Sequence, residues 1–158
     1  MDSAARKRVL GRLTYGLYVV TVSHDGRLAA ASVNFLTQTS FDPPLIVVGM
    51  KAGSGIARLS EASGRFAVNI LGADQKDTAA AFFKSAKAEN GLINGEAYAP
   101  GANGSPILAS VPCAFECEVE EILKTGDHHI VVGRVTALHE HDDRKPLTME
   151  ATDWSYGG

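Results

Sequence analysis

A polar segment between two apolar runs contains the side chains best suited to binding a small molecule. It follows a predicted strand and ends at the rigid pair Pro43-Pro44, so its hydroxyl and amide groups converge without adding net charge. Such a set of donors and acceptors suits a neutral, hydrogen-bonding heterocycle. A loop that satisfies its own backbone has the same composition, and the segment alone leaves both interpretations open. The candidate binding residues are Ser32, Val33, Asn34, Gln38, Thr39 and Ser40.

Two shorter motifs carry a charge or a titratable ring. In Lys51-Ala52-Gly53-Ser54-Gly55, a hydroxyl flanked by glycines begins a predicted helix beside a lysine. This arrangement suits a terminal phosphate, because the first N–H groups of a helix lack partners. An ordinary helix cap at Ser54 with a solvated Lys51 explains the same pattern. In the turn Gly126-Asp127-His128-His129, His128 could reach a cofactor, although a turn histidine is commonly solvated.

Several common active-site signatures are absent from the sequence. There is no GxGxxG motif after a strand, no P-loop, no HExxH zinc motif and no GxSxG nucleophile motif. His24, His139 and His141 have no convincing metal-ligand spacing, and we expect them to be solvated. Cys113 and Cys117 would lie ~13 Å apart along a strand, which is too far for a disulfide, so both are predicted to be free thiols.

Length and charge indicate an ordinary globular protein. The 158 residues suit one domain, predicted to extend over 1–158. The formal charge is −3 and the basic residues are scattered, so no nucleic acid partner is expected. The longest strongly apolar run, Leu45 to Met50, is far shorter than the ~20 residues that span a bilayer. We therefore expect no membrane association and predict a cytoplasmic location.

The apolar pattern predicts mainly β structure. An Asp25-Gly26 turn joins two runs rich in β-branched residues, 16–23 and 27–33, as a hairpin. Further strands are predicted over 37–41, 45–49, 65–71, 115–120 and 129–139. Between 115 and 120, apolar residues alternate with three glutamates, of which Glu116 is the first, as in a strand with one wet face. Few and short helices among these strands favour a barrel or an α+β fold.

Three helices are predicted. The first covers residues 3–14 within an N-terminal segment, 1–14, and is basic and amphipathic with Ser3 as its cap. The second runs from Ser54 to Ser63 and ends at Gly64. The third, capped by Asp74, covers 75–85 and turns Ala79, Phe82 and Phe83 towards the core.

Two segments lack a clear periodicity. Residues 86–105 are rich in Gly, Asn, Ala and Pro and are predicted to form a surface excursion over a site or a dimer contact. The C-terminal tail, 147–158, contains Trp154 and Tyr156. These rings would stack well over a bound aromatic group, and a disordered terminus is the alternative.

Sequence blocks in a fixed order give the chain a resemblance to the flavin reductase-like, FMN-binding split-barrel family. The resemblance runs from Tyr15 to about Pro146. Its blocks are 16–21, the Asp25-Gly26 turn, 34–44, 63–71, 105–108, 117–120 and 126–135. It implies a mainly β fold with short helices, in which a six-stranded antiparallel split barrel of Greek-key type binds FMN near the interface of a homodimer.

The same resemblance implies roles for the candidate residues. Lys51 and Ser54 would lie near the flavin phosphate, and His128 near the flavin or the nicotinamide. The isoalloxazine and the ribityl chain would contact Ser32, Val33, Asn34, Gln38, Thr39 and Ser40. FMN, or FAD in its place, would accept hydride from NAD(P)H. Because the cofactor carries this chemistry, no catalytic residue is assigned.

The implied function is an NAD(P)H:flavin oxidoreductase that passes electrons to free flavin or to a partner such as an oxygenase, a rubredoxin or another redox protein. The pair Asn34 and Gln38 is similar to the branch that includes flavoredoxins. That similarity supports an alternative, an FMN-binding electron-transfer protein without direct NAD(P)H turnover. A third interpretation is a sensor or structural subunit that has lost the flavin site.

Overall fold

The computed structural model of the chain describes residues 1–157, and within them β structure dominates. The helices are α1 (Ser3–Leu10), α2 (Gly55–Ser63) and α3 (Lys76–Ala81), followed near the C-terminus by a 3-10 helix (Glu150–Thr152). The long strands are β1 (Tyr18–His24), β2 (Arg27–Val33), β3 (Leu36–Ser40), β4 (Leu45–Lys51), β5 (Arg65–Ile70), β10 (Cys113–Leu123) and β11 (His128–Glu140). The short strands are β6 (Ala88–Glu89), β7 (Leu92–Ile93), β8 (Glu96–Pro100) and β9 (Pro106–Leu108).

The long strands form one antiparallel sheet of seven strands in the order β2-β1-β5-β10-β11-β4-β3. The implied six-stranded barrel is therefore wrong in its strand number, and the sheet is not closed, because β2 and β3 are its two edges. Only Asn34 and Phe35 separate these two strands along the chain, but β3 pairs with β4 and not with β2. The residues between β2 and β3 therefore lie where the two edges of the sheet are linked.

Segment 86–105 is more regular than its sequence indicates. It forms β6, β7 and β8, which together with β9 make a second antiparallel sheet of four strands. Strands of two to five residues are too short for an apolar period to reveal them. The expectation of a long irregular excursion is therefore wrong.

Because side chains alternate in direction along the strands, the core consists of two clusters. Val19 belongs to one cluster and Val20 to the other, as expected when successive side chains point to opposite faces. The first cluster also contains Leu71, Phe82, Leu108 and Leu147, and the second contains Val48, Met50, Ile56 and Phe66. Helix α2 packs through Ile56 on the second cluster, whereas Phe82 and the start of the C-terminal tail pack on the first.

Short sequence signals correctly predicted the turn between β1 and β2 and both ends of helix α2. Asp25 and Gly26 have φ values of 49° and 72°, the left-handed pair that a two-residue hairpin turn requires. Ser54 caps α2 by accepting a hydrogen bond from the Ala57 N–H at 3.3 Å, and Gly64 ends the helix with φ 68°. Both predictions are confirmed.

The other two helices differ from their predictions. Asp2, and not Ser3, caps α1 by accepting from the Ala4 N–H at 3.0 Å, and the helix ends at Leu10 instead of residue 14. Asp74 does not cap α3, because its carboxylate accepts from the Arg144 guanidinium at 3.1 Å. Since α3 ends at Ala81, Phe82 is buried as predicted, whereas Phe83 is 63% exposed.

Strand β10 departs from simple alternation at Glu116. A β-bulge between Glu116 and Cys117 shifts the register against β11, so both side chains are buried. The Glu116 carboxylate accepts from His139 Nε2 at 2.8 Å. The predictions of a wet glutamate face at Glu116 and of a solvated His139 are therefore wrong. Cys113 and Cys117 are free thiols, as predicted.

In residues 1–157 no helix is both long and apolar enough to cross a bilayer. The assignment of residues 1–158 to a single domain stays a prediction, and Gly158 lies outside the described residues.

Candidate functional site

A cavity of about 720 Å³ opens beside the link between β2 and β3. Its walls come from the ends of β2 and β4, the start of α2, the end of α3 and the C-terminal tail. The volume lies within the roughly 300–1,000 Å³ of small-molecule sites, and most of the lining is apolar or aromatic. The apolar and aromatic lining residues are Leu17, Ala31, Val33, Phe35, Ile56, Phe82, Phe83, Met149, Trp154 and Tyr156.

Six of the nine predicted site residues line this cavity: Ser32, Val33, Asn34, Lys51, Ser54 and His128. The other three, Gln38, Thr39 and Ser40, do not. They lie on edge strand β3, where the Gln38 side chain donates to the Ser40 carbonyl at 3.2 Å and the Thr39 hydroxyl to the Leu45 carbonyl at 3.4 Å. Their contact with a flavin stays a prediction.

Hydrogen bonds to backbone carbonyls hold two polar side chains in place, Ser32 on β2 and Asn34 just after it. Ser32 Oγ donates to the Ala79 carbonyl at 2.7 Å, which joins β2 to α3. Asn34 is 4% exposed, and its Nδ2 donates to the Tyr156 carbonyl at 3.2 Å. Its carboxamide oxygen accepts no hydrogen bond from residues 1–157, so an acceptor at the cavity wall is left for a ligand.

One end of the cavity carries positive charge. The Lys51 side chain, at the end of β4, is exposed and forms no ion pair with any residue in the described part of the chain. Behind Ser54, the Gly55 and Ile56 N–H groups occupy the first turn of α2, where a helix offers no internal acceptors. The two features together suit a phosphate group.

His128 lies at the same end, because it pairs with Lys51 in the β11–β4 register. Its Nδ1 is 3.0 Å from an Asp127 carboxylate oxygen, and its Nε2 is 2.9 Å from Tyr156 Oη. The hydrogen bond to His128, with the attraction of its charge, lowers the pKa of Asp127. The imidazole is therefore fixed from both sides.

The C-terminal tail forms the remaining wall. Leu147 and Thr152 are buried, and Trp154, Ser155 and Tyr156 line the cavity. The described part of the tail, up to residue 157, packs against the cavity, in agreement with the first of the two interpretations of its sequence. The ring of Phe35 lies 5.6 Å from that of Tyr156 and 5.3 Å from that of His128.

Sequence reasoning did not select Phe35 or Gly49. Phe35 follows Asn34 within the polar segment, and its backbone carbonyl accepts from the Gly49 N–H at 2.7 Å. A Cβ at Gly49 would lie 3.0 Å from Phe35 Cβ. The glycine in an otherwise apolar strand was the available signal, since it indicates a close approach by another part of the chain.

The comparisons with known proteins identify the family. The sequence model described as "Flavin reductase like domain" matches residues 10–154. The chain belongs to this flavin reductase-like family. The resemblance seen in the sequence blocks is therefore confirmed.

Individual relatives agree with this family. A "probable flavin reductase" from Rhizobium meliloti is 34% identical over 138 residues, which are 87% of this chain and 43% of that protein. The reductase subunit of a stachydrine N-demethylase from the same organism is 33% identical over 138 residues, 87% of this chain and 59% of that protein. This chain thus spans about half the length of these two relatives.

A comparison with solved structures agrees with this family. The solved structure of a styrene monooxygenase flavin reductase from Pseudomonas putida matches with a TM-score of 0.79. The match covers 99% of this chain and 97% of that one, at 29% identity.

The cavity suits the flavin that membership of this flavin reductase-like family implies. The ring system needs a flat apolar slot with a few hydrogen-bonding groups, and Phe35, Ile56 and Asn34 supply these. The phosphate needs N–H donors and a cation, which the first turn of α2 and Lys51 supply. No group of three or more His, Cys, Asp or Glu residues among the described ones is arranged to hold a metal ion.

Proposed function

We propose that this protein is an NAD(P)H:flavin oxidoreductase that binds FMN in the cavity beside the β2–β3 link. The observation that carries the proposal is the meeting of an apolar slot, the Asn34 carboxamide and the cationic end at Lys51 in one cavity. A bound flavin supplies the chemistry, which is acceptance of hydride from the nicotinamide and release of electrons to an acceptor.

The residues of the chain bind, orient and exclude water. Phe35 and Ile56 provide the apolar surface for the ring system, and the free oxygen of Asn34 accepts from a ring N–H. Lys51 and the first turn of α2 neutralise the phosphate. His128, held by Asp127 and Tyr156, presents an imidazole of fixed orientation at the same end.

Fluorescence of Trp154 tests the cavity directly. It is the single tryptophan of the chain and lines the cavity, so FMN binding should quench its emission.

The visible spectrum of the FMN-bound protein tests reduction by a nicotinamide. Yellow protein whose visible spectrum bleaches under anaerobic addition of NADH or NADPH supports the reductase. A protein that binds FMN but stays oxidised contradicts nicotinamide turnover and supports the electron-transfer alternative. Failure to bind any flavin would overturn both.

A comparison of FMN with riboflavin tests the phosphate end. Lys51→Gln should weaken FMN binding about fivefold, equivalent to about 1 kcal/mol for one partly screened charge-assisted contact. It should leave riboflavin binding unchanged, because riboflavin has no phosphate. Lys87→Gln, which removes an exposed lysine outside the cavity, is the matched control. Equal loss of both ligands would contradict a phosphate role for Lys51.

FMN is preferred to FAD in this proposal, because the cavity has one phosphate-binding end. Titration of the apoprotein with each flavin decides between them. We also propose that the electrons pass to free flavin or to an oxygenase partner. The names of the stachydrine N-demethylase reductase subunit and of the styrene monooxygenase flavin reductase support an oxygenase over a rubredoxin.

A homodimer is the proposed assembly. Phe41 and Leu138 are 89% and 74% exposed, and large exposed apolar side chains commonly mark a contact surface. Light scattering at several concentrations tests this state, and a monomer throughout would contradict it. The cytoplasmic location stays a prediction that cell fractionation would test.

A further inference from the structure

The C-terminal tail contacts two of the candidate site residues through a single residue, Tyr156. Its backbone carbonyl accepts from Asn34 Nδ2 at 3.2 Å, and its hydroxyl oxygen lies 2.9 Å from His128 Nε2. The Tyr156 ring is also 5.6 Å from the Phe35 ring. Tyr156 therefore joins the tail to three other residues that line the cavity.

Contacts upstream of Tyr156 hold the tail in place. Thr152 is buried, and its hydroxyl donates to the Met149 carbonyl at 2.7 Å and accepts from the Trp154 N–H at 3.1 Å. The Trp154 ring meets the Phe83 ring edge to face, with the centroids 4.8 Å apart. Because none of these contacts involves Tyr156, the tail is anchored independently and brings Tyr156 to the cavity.

The carbonyl of Tyr156 decides which end of the Asn34 carboxamide is available to a ligand. A backbone carbonyl only accepts hydrogen bonds, so the end of the carboxamide that faces it must be the NH₂ group. The carboxamide oxygen accepts no hydrogen bond from residues 1–157 and is the end that is left over. An acceptor of fixed direction selects a ligand with an N–H donor, and the oxidised isoalloxazine ring has one such group, N3–H.

The hydroxyl of Tyr156 decides how His128 carries its proton. His128 Nδ1 is 3.0 Å from an Asp127 carboxylate oxygen, which only accepts, so Nδ1 bears the proton. In the neutral imidazole Nε2 is then an acceptor, and the Tyr156 hydroxyl donates to it. Both ring nitrogens are therefore occupied, and the Tyr156 oxygen keeps lone pairs that can accept from a ligand.

We propose that Tyr156 is a positioning residue that sets the direction of the hydrogen bonds the cavity offers to a flavin. Its carbonyl turns the Asn34 oxygen towards the ring N–H, and its hydroxyl occupies Nε2 of the Nδ1–H tautomer of His128. The cavity therefore selects a flavin with a free N3–H group over one that is methylated there. The inference rests on the proposed function, because that function places the flavin ring beside Asn34.

Two variants separate the two contacts of Tyr156. Tyr156→Phe removes the hydroxyl and keeps the carbonyl, whereas a chain that ends at Ser155 loses both. Tyr98→Phe is the matched control, because it removes the hydroxyl of a tyrosine on β8 that does not line the cavity. All three variants keep Trp154, so quenching of its fluorescence measures flavin binding in each of them.

Nitrogen NMR on the flavin-free protein measures the positioning directly. With isotope-labelled histidine, the His128 Nε2 signal should move downfield in Tyr156→Phe and in the shortened chain, because Nε2 loses its hydrogen-bond donor. It should stay in place in Tyr98→Phe. The Asn34 side-chain amide signal should change in the shortened chain and keep its position in Tyr156→Phe. Signals that are unchanged in both variants would overturn the proposal.

Binding of FMN and of N3-methyl-FMN tests the selectivity. The wild type, Tyr156→Phe and Tyr98→Phe should bind FMN at least tenfold more tightly than N3-methyl-FMN, which is about 1.4 kcal/mol. In the chain that ends at Ser155 this ratio should fall at least threefold, because the ligand itself must then order Asn34.

Two results would contradict the selectivity in different ways. An equal loss of affinity for both flavins in the shortened chain, with the ratio unchanged, would show that the tail is only a wall. If no form of the protein binds FMN, the proposed function fails and the selectivity fails with it. The NMR shifts, which need no flavin, distinguish that failure from a tail that does not contact Asn34 and His128.

Discussion

Replacement of Glu116 by glutamine should lower the free energy of unfolding by several kcal/mol (about 2–4) without altering the candidate cavity, which Glu116 does not line. The side chain is 0% exposed, and one oxygen accepts from the Ala102 N–H at 2.9 Å while the other accepts from the Asn103 N–H at 2.5 Å. His139 Nε2 lies 2.8 Å from the first oxygen. The carboxylate therefore ties the turn after β8 to strands β10 and β11.

The hydrogen bonds of the Glu116 carboxylate set the expected loss in free energy of unfolding. Glutamine keeps the shape but offers one carbonyl oxygen, so its NH₂ group must face a donor at the second position. Each hydrogen bond to a charged group contributes about 1.5–3 kcal/mol, and loss of one with weakening of the others gives about 2–4 kcal/mol in total. For a chain of this length that lowers Tm by about 5–15 °C.

The variant should also alter the acid limb of the stability curve. Burial acts to raise the pKa of Glu116, but the hydrogen bonds from Asn103, His139 and Ala102 outweigh burial and hold the pKa below its usual value. The native carboxylate therefore contributes stability above an unfolded pKa of about 4.3, and this contribution is lost as pH falls through the lower native pKa. The difference between wild type and Glu116→Gln should shrink over that range.

Urea unfolding from pH 7 to pH 3, with Glu118→Gln as control, measures both effects. Glu118 lies on the same strand but is exposed and bonds to Arg134 at the surface, so its loss should change the free energy of unfolding by at most about 1 kcal/mol. Equal free energies for Glu116→Gln and Glu118→Gln at pH 7 would refute the reasoning. So would a constant difference from wild type across the acid range.

Two further predictions concern the core. Gly133→Ala should lower the free energy of unfolding by about 1–3 kcal/mol in calorimetry, because the new Cβ would lie 2.7 Å from Phe66 Cζ in a buried cluster. Gly126→Ala, with its nearest atom 3.8 Å away, should have little effect, and equal losses would contradict the packing argument. Burial raises the pKa of Cys117 to about 12, and burial with nearby carboxylates raises that of Cys113. A thiol reagent at pH 8, followed by mass spectrometry, should therefore label Cys113 slowly and Cys117 only after unfolding, and rapid native labelling of Cys117 would contradict its burial.

Signals that act over a few residues were sufficient to predict the β1–β2 hairpin and helix α2. Asp25-Gly26 specifies its turn because both residues adopt positive φ readily, and Ser54 with Gly64 specifies both ends of a helix. The seven long strands followed from β-branched runs and alternation. Six of the nine candidate site residues also meet in one cavity, because β2, β4 and β11 bring their ends to the same part of the fold.

Long-range contacts explain the predictions from sequence that were wrong or left open. The bulge that buries Glu116 depends on its pairing with β11, and the side chain of Asp74 is drawn from α3 to Arg144, seventy residues away. Gln38, Thr39 and Ser40 lie on β3, an edge strand of the seven-stranded sheet, and their side chains do not line the cavity.

The sequence by itself determined the family, the long strands and six of the residues that line the candidate site. These follow from local patterns, whose physical causes act within a turn or a strand. Only the tertiary structure decided that the tail forms a wall of the cavity, through the contacts of Tyr156 with Asn34 and His128. Such contacts join residues more than a hundred positions apart or on separate elements, and no local period or turn signal encodes them.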